Sequence, residues 1–215
     1  MERFITWFVL IGGVCAIIGG MIWAARRSQG APEISAAALD ELKVDGHFSG
    51  NPAAKATLVE FSDFQCPACG AYYPLLKRLR SEFSSELAFV YVHFPLAQHV
   101  HAVIAARAAE AAGSQGKFLE MHDMLFERQA EWGGAQDPAS LFASYAEELH
   151  LDKAKFAADL AAEDGLKKIL QNQAKGLGFG INSTPTFFLN GKRLTNPSNY
   201  DEFRNLIQTA VNAAP

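Results

Sequence analysis

The longest hydrophobic run of the chain lies at its start. From about Phe4 to Ala25 there is no charged residue, and Arg3 and Arg26-Arg27 bound the run. About 20 apolar residues span a hydrocarbon core, whereas the apolar part of a cleaved signal is about 7–15 residues long. Residues 1–27 are therefore read as a retained single-pass membrane anchor, with a cleaved signal and a buried core helix as the alternatives. Cys15 lies inside the run rather than at its end, which favours an ordinary membrane-helix residue over a lipid-attachment site. Residues 28–51 mix polar and apolar positions, punctuated by Gly30, Pro32, Gly46 and Gly50, and read as a linker. Within it, Ile34–Leu42 has helical spacing and Val44–Phe48 has the character of an outer strand. Gly50-Asn51-Pro52 is a turn signal.

A globular pattern follows over residues 52–215. Thr57–Phe61 is β-branched and apolar enough for a buried strand. Pro67–Phe83 places Tyr72, Leu75, Leu76, Leu79 and Phe83 at helical spacing, with a kink or break expected at Pro74. Leu87–Phe94 reads as a second strand. The region of about 98–178 is helical in period: alanine-rich His99–Ala112, then Lys117–Ala130 with Phe118, Met121, Leu125 and Phe126 on one core-facing stripe. A helix opened by Asp137-Pro138 comes next, then one capped by Asp152, then Gly165–Leu177. Strand character returns at Thr186–Leu189. Asn190-Gly191 is a two-residue hairpin turn, Lys192–Leu194 is the returning strand, and Tyr200–Val211 is a final amphipathic helix. Two strands joined through a helix should be parallel with a right-handed crossover, and the hairpin strands antiparallel. The fold class is α/β: a mixed sheet with helices on both faces and a helical insertion, preceded by one transmembrane helix.

Composition narrows the function. The net charge is −4, so no basic footprint for nucleic acid is present. Three cysteines are too few for a disulfide scaffold. Two of them form Cys66-Pro67-Ala68-Cys69, placed between a strand and a helix. At a helix start the first N–H groups have no intrahelical partner, and the dipole favours an anion. A Cys66 thiolate gains that stabilisation, Pro67 suits the first helical position, and Cys69, one turn on, lies on the same side and can close a disulfide. A zinc site through this pair lacks two further ligands.

Phe61-Ser62-Asp63-Phe64-Gln65-Cys66-Pro67-Ala68-Cys69-Gly70, His93-Phe94-Pro95-Leu96, Gly116-Lys117-Phe118 and Ser183-Thr184-Pro185-Thr186 together resemble the DsbA-like thioredoxin-fold proteins, over roughly residues 51–211. The resemblance implies a thioredoxin-like fold and thiol–disulfide oxidoreductase activity, with Cys66 as the exchanging sulfur and Cys69 as the resolving thiol. It also implies a cis Thr184–Pro185 bond facing the dithiol, where Thr184 offers backbone groups to an extended substrate. Glu60, a charge inside an apolar strand, takes the place of the family's buried acid, which exchanges protons with the buried cysteine; an edge glutamate facing water is the plainer reading. Ala68 departs from the strongest oxidants of the family, which carry His there. Alanine cannot stabilise the thiolate, so a more reducing potential is expected.

The implied partners are cysteine-containing exported proteins, a redox partner that resets the dithiol, and the membrane; no cofactor or metal is expected. Arg26 and Arg27 weakly favour a cytoplasmic C-terminal side. An anchored dithiol is nevertheless of more use where disulfides persist, so the domain is placed outside the cytoplasm, on the periplasmic or cell-surface side. The competing functions are a tethered binding or chaperone module with an incidental dithiol, and a dedicated reductant of one extracytoplasmic partner. Among the remaining polar residues, His93 reads as a packed or capping histidine. His99, His101 and His122 are not spaced as ligands on one helix face. Asp63 and Gln65 read as loop residues near the site, and Tyr72 and Tyr73 as helix packing.

Overall fold

The computed structural model describes residues 18–21 and 33–213. The chain divides into two compact units, Met1–Glu33 and Ile34–Pro215. In the first, residues 18–21 are helical. The rest of the expected membrane span lies outside the described residues, and among the described residues no helix is long and apolar enough to cross a membrane.

The second unit runs α1 (Ala36–Asp45), β1 (His47–Gly50), β2 (Ala56–Ser62), α2 (Pro67–Glu82), β3 (Leu87–His93), α3 (Ala102–Gly113), α4 (Phe118–Glu127), α5 (Gln129–Trp132), α6 (Pro138–Glu148), α7 (Lys153–Ala161), α8 (Glu163–Gly178), β4 (Thr186–Leu189), β5 (Lys192–Arg193) and α9 (Tyr200–Ala213). The sheet order is β1-β3-β2-β4-β5. Strands β2 and β3 are parallel, in register Ala56↔Leu87 to Ser62↔His93. The other three pairings are antiparallel. This is a mixed α/β, thioredoxin-like fold whose insertion, α3–α8, sits between β3 and β4.

All seven residues of β2 and of β3 are buried, as strands covered on both faces must be. Side chains alternate across the pleat. Leu58, Phe89, Tyr91, Phe187 and Leu189 therefore face α2, α9 and the insertion. Val59, Phe61, Val90, Val92 and Phe188 face Ile34, Leu42 and Ile181 on the other side. The same alternation fixes where the polar residues of the strands go: Glu60 and Ser62 share the face of Leu58, towards α2.

Part of the expected linker belongs to the domain. Ser35 caps α1 by accepting from the Ala38 N–H at 3.2 Å, Leu42 is fully buried, and β1 pairs with β3. Most polar positions of this stretch face outward, His47 excepted, while Ile34, Leu42 and Phe48 cover the sheet, so its mixed composition is that of a surface layer. Helix α2 runs unbroken through Pro74, which removes one intrahelical donor without ending the helix. Helix α3 starts at Ala102, later than the expected His99. Its alanines, buried at 105, 106, 108, 109, 111 and 112, let the neighbouring helices approach it closely. The expected caps are present: Asp137 accepts from Ser140 N–H and Asp152 from Lys155 N–H.

The hairpin turn has Asn190 at φ 48° and Gly191 at φ 82°, the left-handed pair that a two-residue turn requires. The Asn190 side chain accepts from Thr57 N–H at 2.7 Å. The Gly191 carbonyl accepts from Ile34 N–H at 2.7 Å, and a Cβ on Gly191 would lie 2.4 Å from the Ile34 carbonyl oxygen. A Gly191→Ala substitution therefore meets both a disfavoured φ and a backbone collision. It is expected to lower stability by about 2 kcal/mol, read as a lower urea midpoint with an unchanged slope.

Candidate active site

Strand β2 ends at Ser62, and α2 begins at Pro67 with Cys66 as its N-cap. The intervening loop is locked. Asp63, 2 % exposed, accepts from the Gln65 N–H (2.8 Å), from the Leu96 N–H (2.8 Å) and from His99 Nδ1 (2.7 Å). Gln65 accepts from the His101 N–H at 2.6 Å and donates to the Gly133 carbonyl at 2.9 Å. Gln129, from α5, donates to the carbonyls of Phe64 (2.7 Å) and Cys66 (3.0 Å). Asp63 and Gln65 are thus buttresses of the loop rather than solvent-facing polar residues. Gln129 carried no signal in its own stretch of sequence, since its partners are carbonyls more than sixty positions away.

Strand β4 runs antiparallel to β2, so its start lies beside the end of β2, with Phe61 opposite Thr186. That pairing brings the segment just before β4 to the dithiol. The Thr184–Pro185 peptide is cis, and the Cys66 thiol donates to the Thr184 carbonyl at 3.4 Å. The sulfurs, Thr184 and Pro185 therefore form one surface, although 118 positions separate Cys66 from Thr184.

The two sulfurs are unlike. Cys66 is at the rim with 6 % of its surface exposed, and Cys69 has none; both are free thiols. The Cys66 pKa is lowered to about 5, first by hydrogen bonding from the Cys69 thiol. Partial burial opposes this, while Thr184 and the N–H groups of Cys69 and Ala68 add to it. The sulfur makes no cap hydrogen bond of ordinary length, so those amides act as helix-end dipoles. The Cys69 pKa is raised well above the ordinary thiol value, first by burial, then by the hydrogen bond to Cys66 and by the charge of Glu60.

Behind Cys69 lies a buried polar group on the sheet. Glu60 is 1 % exposed, and burial pushes its pKa up to about 8 against the opposing hydrogen bond from Ser62. The Ser62 hydroxyl donates to Glu60 Oε1 at 2.8 Å. Glu60 Oε2 and the hydroxyl of Tyr91, its cross-strand partner, are buried without a hydrogen-bond partner. Ser62 and Tyr91 were not singled out in the sequence; the two-residue alternation that sends Glu60 inward would have placed Ser62 beside it. The arrangement supplies an exposed nucleophile, a shielded second thiol and a neutral acid close to that thiol.

The other weighed residues lie apart from this group. Tyr72 donates to the Pro197 carbonyl at 2.7 Å and Tyr73 to Glu127 at 2.7 Å, both on the flank of α2. His99 belongs to Asp63 and His122 to Asp123 and an aromatic cluster, so His99, His101 and His122 do not converge. Phe118, Met121 and Phe126 are buried core residues.

Comparison with known proteins gives a consistent picture. A family model described as thioredoxin matches residues 42–209. Curated relatives include the Na(+)/H(+) antiporter NhaA 1 of Salinispora arenicola, 39 % identical over 79 % of this chain and 26 % of the antiporter. Another is NhaA of Herminiimonas arsenicoxydans, 38 % identical over 69 % of this chain and 23 % of that protein. The chain thus spans about a quarter of the length of these relatives. Among solved structures, BdbD from Bacillus subtilis superposes with a TM-score of 0.72 at 21 % identity, covering 86 % of this chain and 98 % of BdbD. A thioredoxin-like oxidoreductase from Silicibacter pomeroyi gives 0.65 at 26 % identity, covering 79 % and 94 %. Wolbachia pipientis alpha-DsbA1 gives 0.70 at 17 %, covering 78 % and 91 %.

Two titrations test this geometry. In the reduced protein the thiolate absorbance and the alkylation rate of Cys66 are expected to rise with a midpoint near pH 5, with Cys69 unreactive; a midpoint near that of free cysteine, about 8.5, contradicts the assignment. For Glu60 the folded pKa lies above the unfolded one, so the folded state holds the extra proton between about pH 4.5 and 8. Stability should then fall as the pH rises through that window. Urea unfolding of the oxidised protein, where neither thiol of the pair titrates, should show this fall, and Glu60→Gln should flatten it.

Proposed function

The chain belongs to the thioredoxin family and carries out thiol–disulfide exchange as an oxidoreductase; we propose that its substrates are the cysteines of exported proteins and that it works outside the cytoplasm, tethered by its N-terminal segment. The observation that carries the reading is the asymmetry of the two sulfurs, one ionised near neutral pH at the rim and one protonated and shielded.

In the reducing direction the Cys66 thiolate attacks a substrate disulfide. A Cys66–substrate bond forms, and the other substrate sulfur leaves as thiolate. Cys69 then gives up its proton and attacks Cys66. The internal disulfide closes, and the second substrate sulfur leaves; two electrons have passed to the substrate. In the oxidising direction a substrate thiolate attacks Cys66 of the disulfide, Cys69 departs, and Cys69 is reprotonated. Glu60, held near neutrality by burial and coupled to Ser62, is the group that takes or returns that proton. The Thr184 carbonyl, already a partner of Cys66, offers the substrate backbone a place to pair. A cavity of about 370 Å³ between the active-site loop and α5, lined by Gln65, Pro67, His99 and Gln129 among others, gives room for a side chain flanking the substrate cysteine.

The membrane reading is supported by the uncharged run at the N-terminus and by the presence of a related segment within proteins named as antiporters. A Cys66 pKa lowered to about 5 lies between about 7 for thioredoxin and about 3.5 for DsbA, so the couple is expected between about −270 and −120 mV.

Two experiments test the proposal. Cys69→Ser leaves Cys66 able to capture but unable to release, and should accumulate mixed disulfides with client proteins in an oxidising compartment, whereas Cys66→Ser should accumulate none. Absence of adducts on Cys69→Ser favours a binding module with an incidental dithiol. A glutathione titration of the dithiol that falls outside the stated range overturns the link between the Cys66 thiolate and the potential.

A further inference from the structure

A second cluster of reactive side chains lies where β1, β3 and α3 meet. His47 is on β1, His93 ends β3 and Glu110 is on α3. Both imidazoles bring Nε2 to the same carboxylate oxygen: His47 Nε2 lies 2.7 Å and His93 Nε2 3.0 Å from Glu110 Oε1. All three ligand atoms lie within 4.8 Å of one another. We propose that His47, His93 and Glu110 form a binding site for a divalent transition metal of the zinc type, distinct from the dithiol.

Protons alone do not satisfy the cluster. For both imidazoles to bond to Glu110 Oε1, each must donate from Nε2. Lys168 Nζ, which can only donate, lies 3.1 Å from that same His47 Nε2. One nitrogen thus faces an acceptor and an obligate donor at once. A cation at the centre turns both nitrogens into lone-pair donors and leaves Lys168 its bond to Glu110 Oε2, at 3.1 Å.

The geometry is close to what a metal needs. Zinc bonds of 2.0–2.1 Å in a tetrahedron put ligand atoms about 3.3 Å apart. The two imidazole–carboxylate distances need to open by about 0.6 and about 0.3 Å, and the two imidazole nitrogens, within 4.8 Å of one another, need to settle at the same spacing. The rings are already placed: His47 stacks on Phe118, and His93, 1 % exposed, is wedged edge-on against Tyr91 and Phe118. Two imidazoles and one carboxylate suit zinc and its neighbours rather than calcium or magnesium, which prefer oxygen alone. The fourth side opens on a cavity of about 590 Å³ whose walls include His47, Glu110, Ser114, Asp159, Asp164 and Lys168. The acidic wall attracts a cation, and water can complete the shell. Lys168, with 35 % of its side chain exposed, is the competitor: its ammonium and the metal draw on the same carboxylate.

The test uses the full-length chain, stripped with chelator, with the dithiol oxidised and Cys15 alkylated so that no thiol can ligate. Cobalt(II) titration should give one equivalent of bound metal with visible d–d absorption, displaced stoichiometrically by zinc. His47→Ala and Glu110→Gln should each weaken zinc binding by at least about tenfold, and Lys168→Met, which keeps all three ligands, should tighten it. Failure of the unmodified chain to bind one equivalent overturns the site. So does binding that neither His47→Ala nor Glu110→Gln weakens, or a Lys168→Met chain that binds no more tightly than the original. Because the dithiol is oxidised throughout, none of these outcomes depends on thiol exchange.

Discussion

The sulfur of Cys66 must hold a negative charge near neutral pH, and the principal groups that stabilise it are neutral dipoles: the Cys69 thiol, the Thr184 side chain and the first amides of α2. Each of these depends on a different part of the fold. The amides require α2 to begin at the residue after Cys66. The thiol requires Cys69 to follow one turn later. The Thr184 contact requires β4 to lie antiparallel beside β2. A charge held by dipoles is sensitive to their direction, which accounts for the density of bonds around the loop, where Asp63, Gln65 and Gln129 fix six backbone groups between them.

The same arrangement has a stability cost. Glu60 Oε2 and the Tyr91 hydroxyl lie buried without partners, and each such group costs about 1–3 kcal/mol. The layers on either side of the sheet offset this: Phe61, Phe89, Phe187 and Phe188 are all buried on the central strands, and full burial of a side chain of that size contributes about 1.5–3 kcal/mol. The expense is confined to the side of the sheet that carries chemistry. The opposite side is mainly apolar, packed by Ile34, Leu42, Phe94 and Ile181.

Features set by local sequence were the legible ones. Short continuous apolar runs located β2, β3 and β4, Asn190-Gly191 located the hairpin, and Asp137 and Asp152 announced helix starts through their own side chains. The dithiol and its distant Thr-Pro were recognisable as a combination. Features set by tertiary pairing were not legible. Residues 34–50 read as a linker holding a helical patch and an outer strand at 44–48; pairing with β3 makes them part of the domain and sets the strand at His47–Gly50. Asp63 looked like a loop carboxylate until the Leu96 amide and His99 arrived from beyond β3. His47, His93 and Glu110 are each unremarkable in sequence, and β1 lies beside β3 only because the chain returns to the sheet's edge. Pro74 shows the limit of a breaker rule, since a helix packed along one face can lose a single bond and continue.

The bond between Ile34 and Gly191 has a consequence for how the domain is held. Strand β4 has its start at Pro185, against the sulfurs, and its end at the hairpin turn, where Ile34 enters. The chain therefore joins the domain at the pole farthest along that strand from the reactive one. Within the domain, the first backbone bond of the chain and the reactive sulfurs thus sit at opposite ends of one four-residue strand.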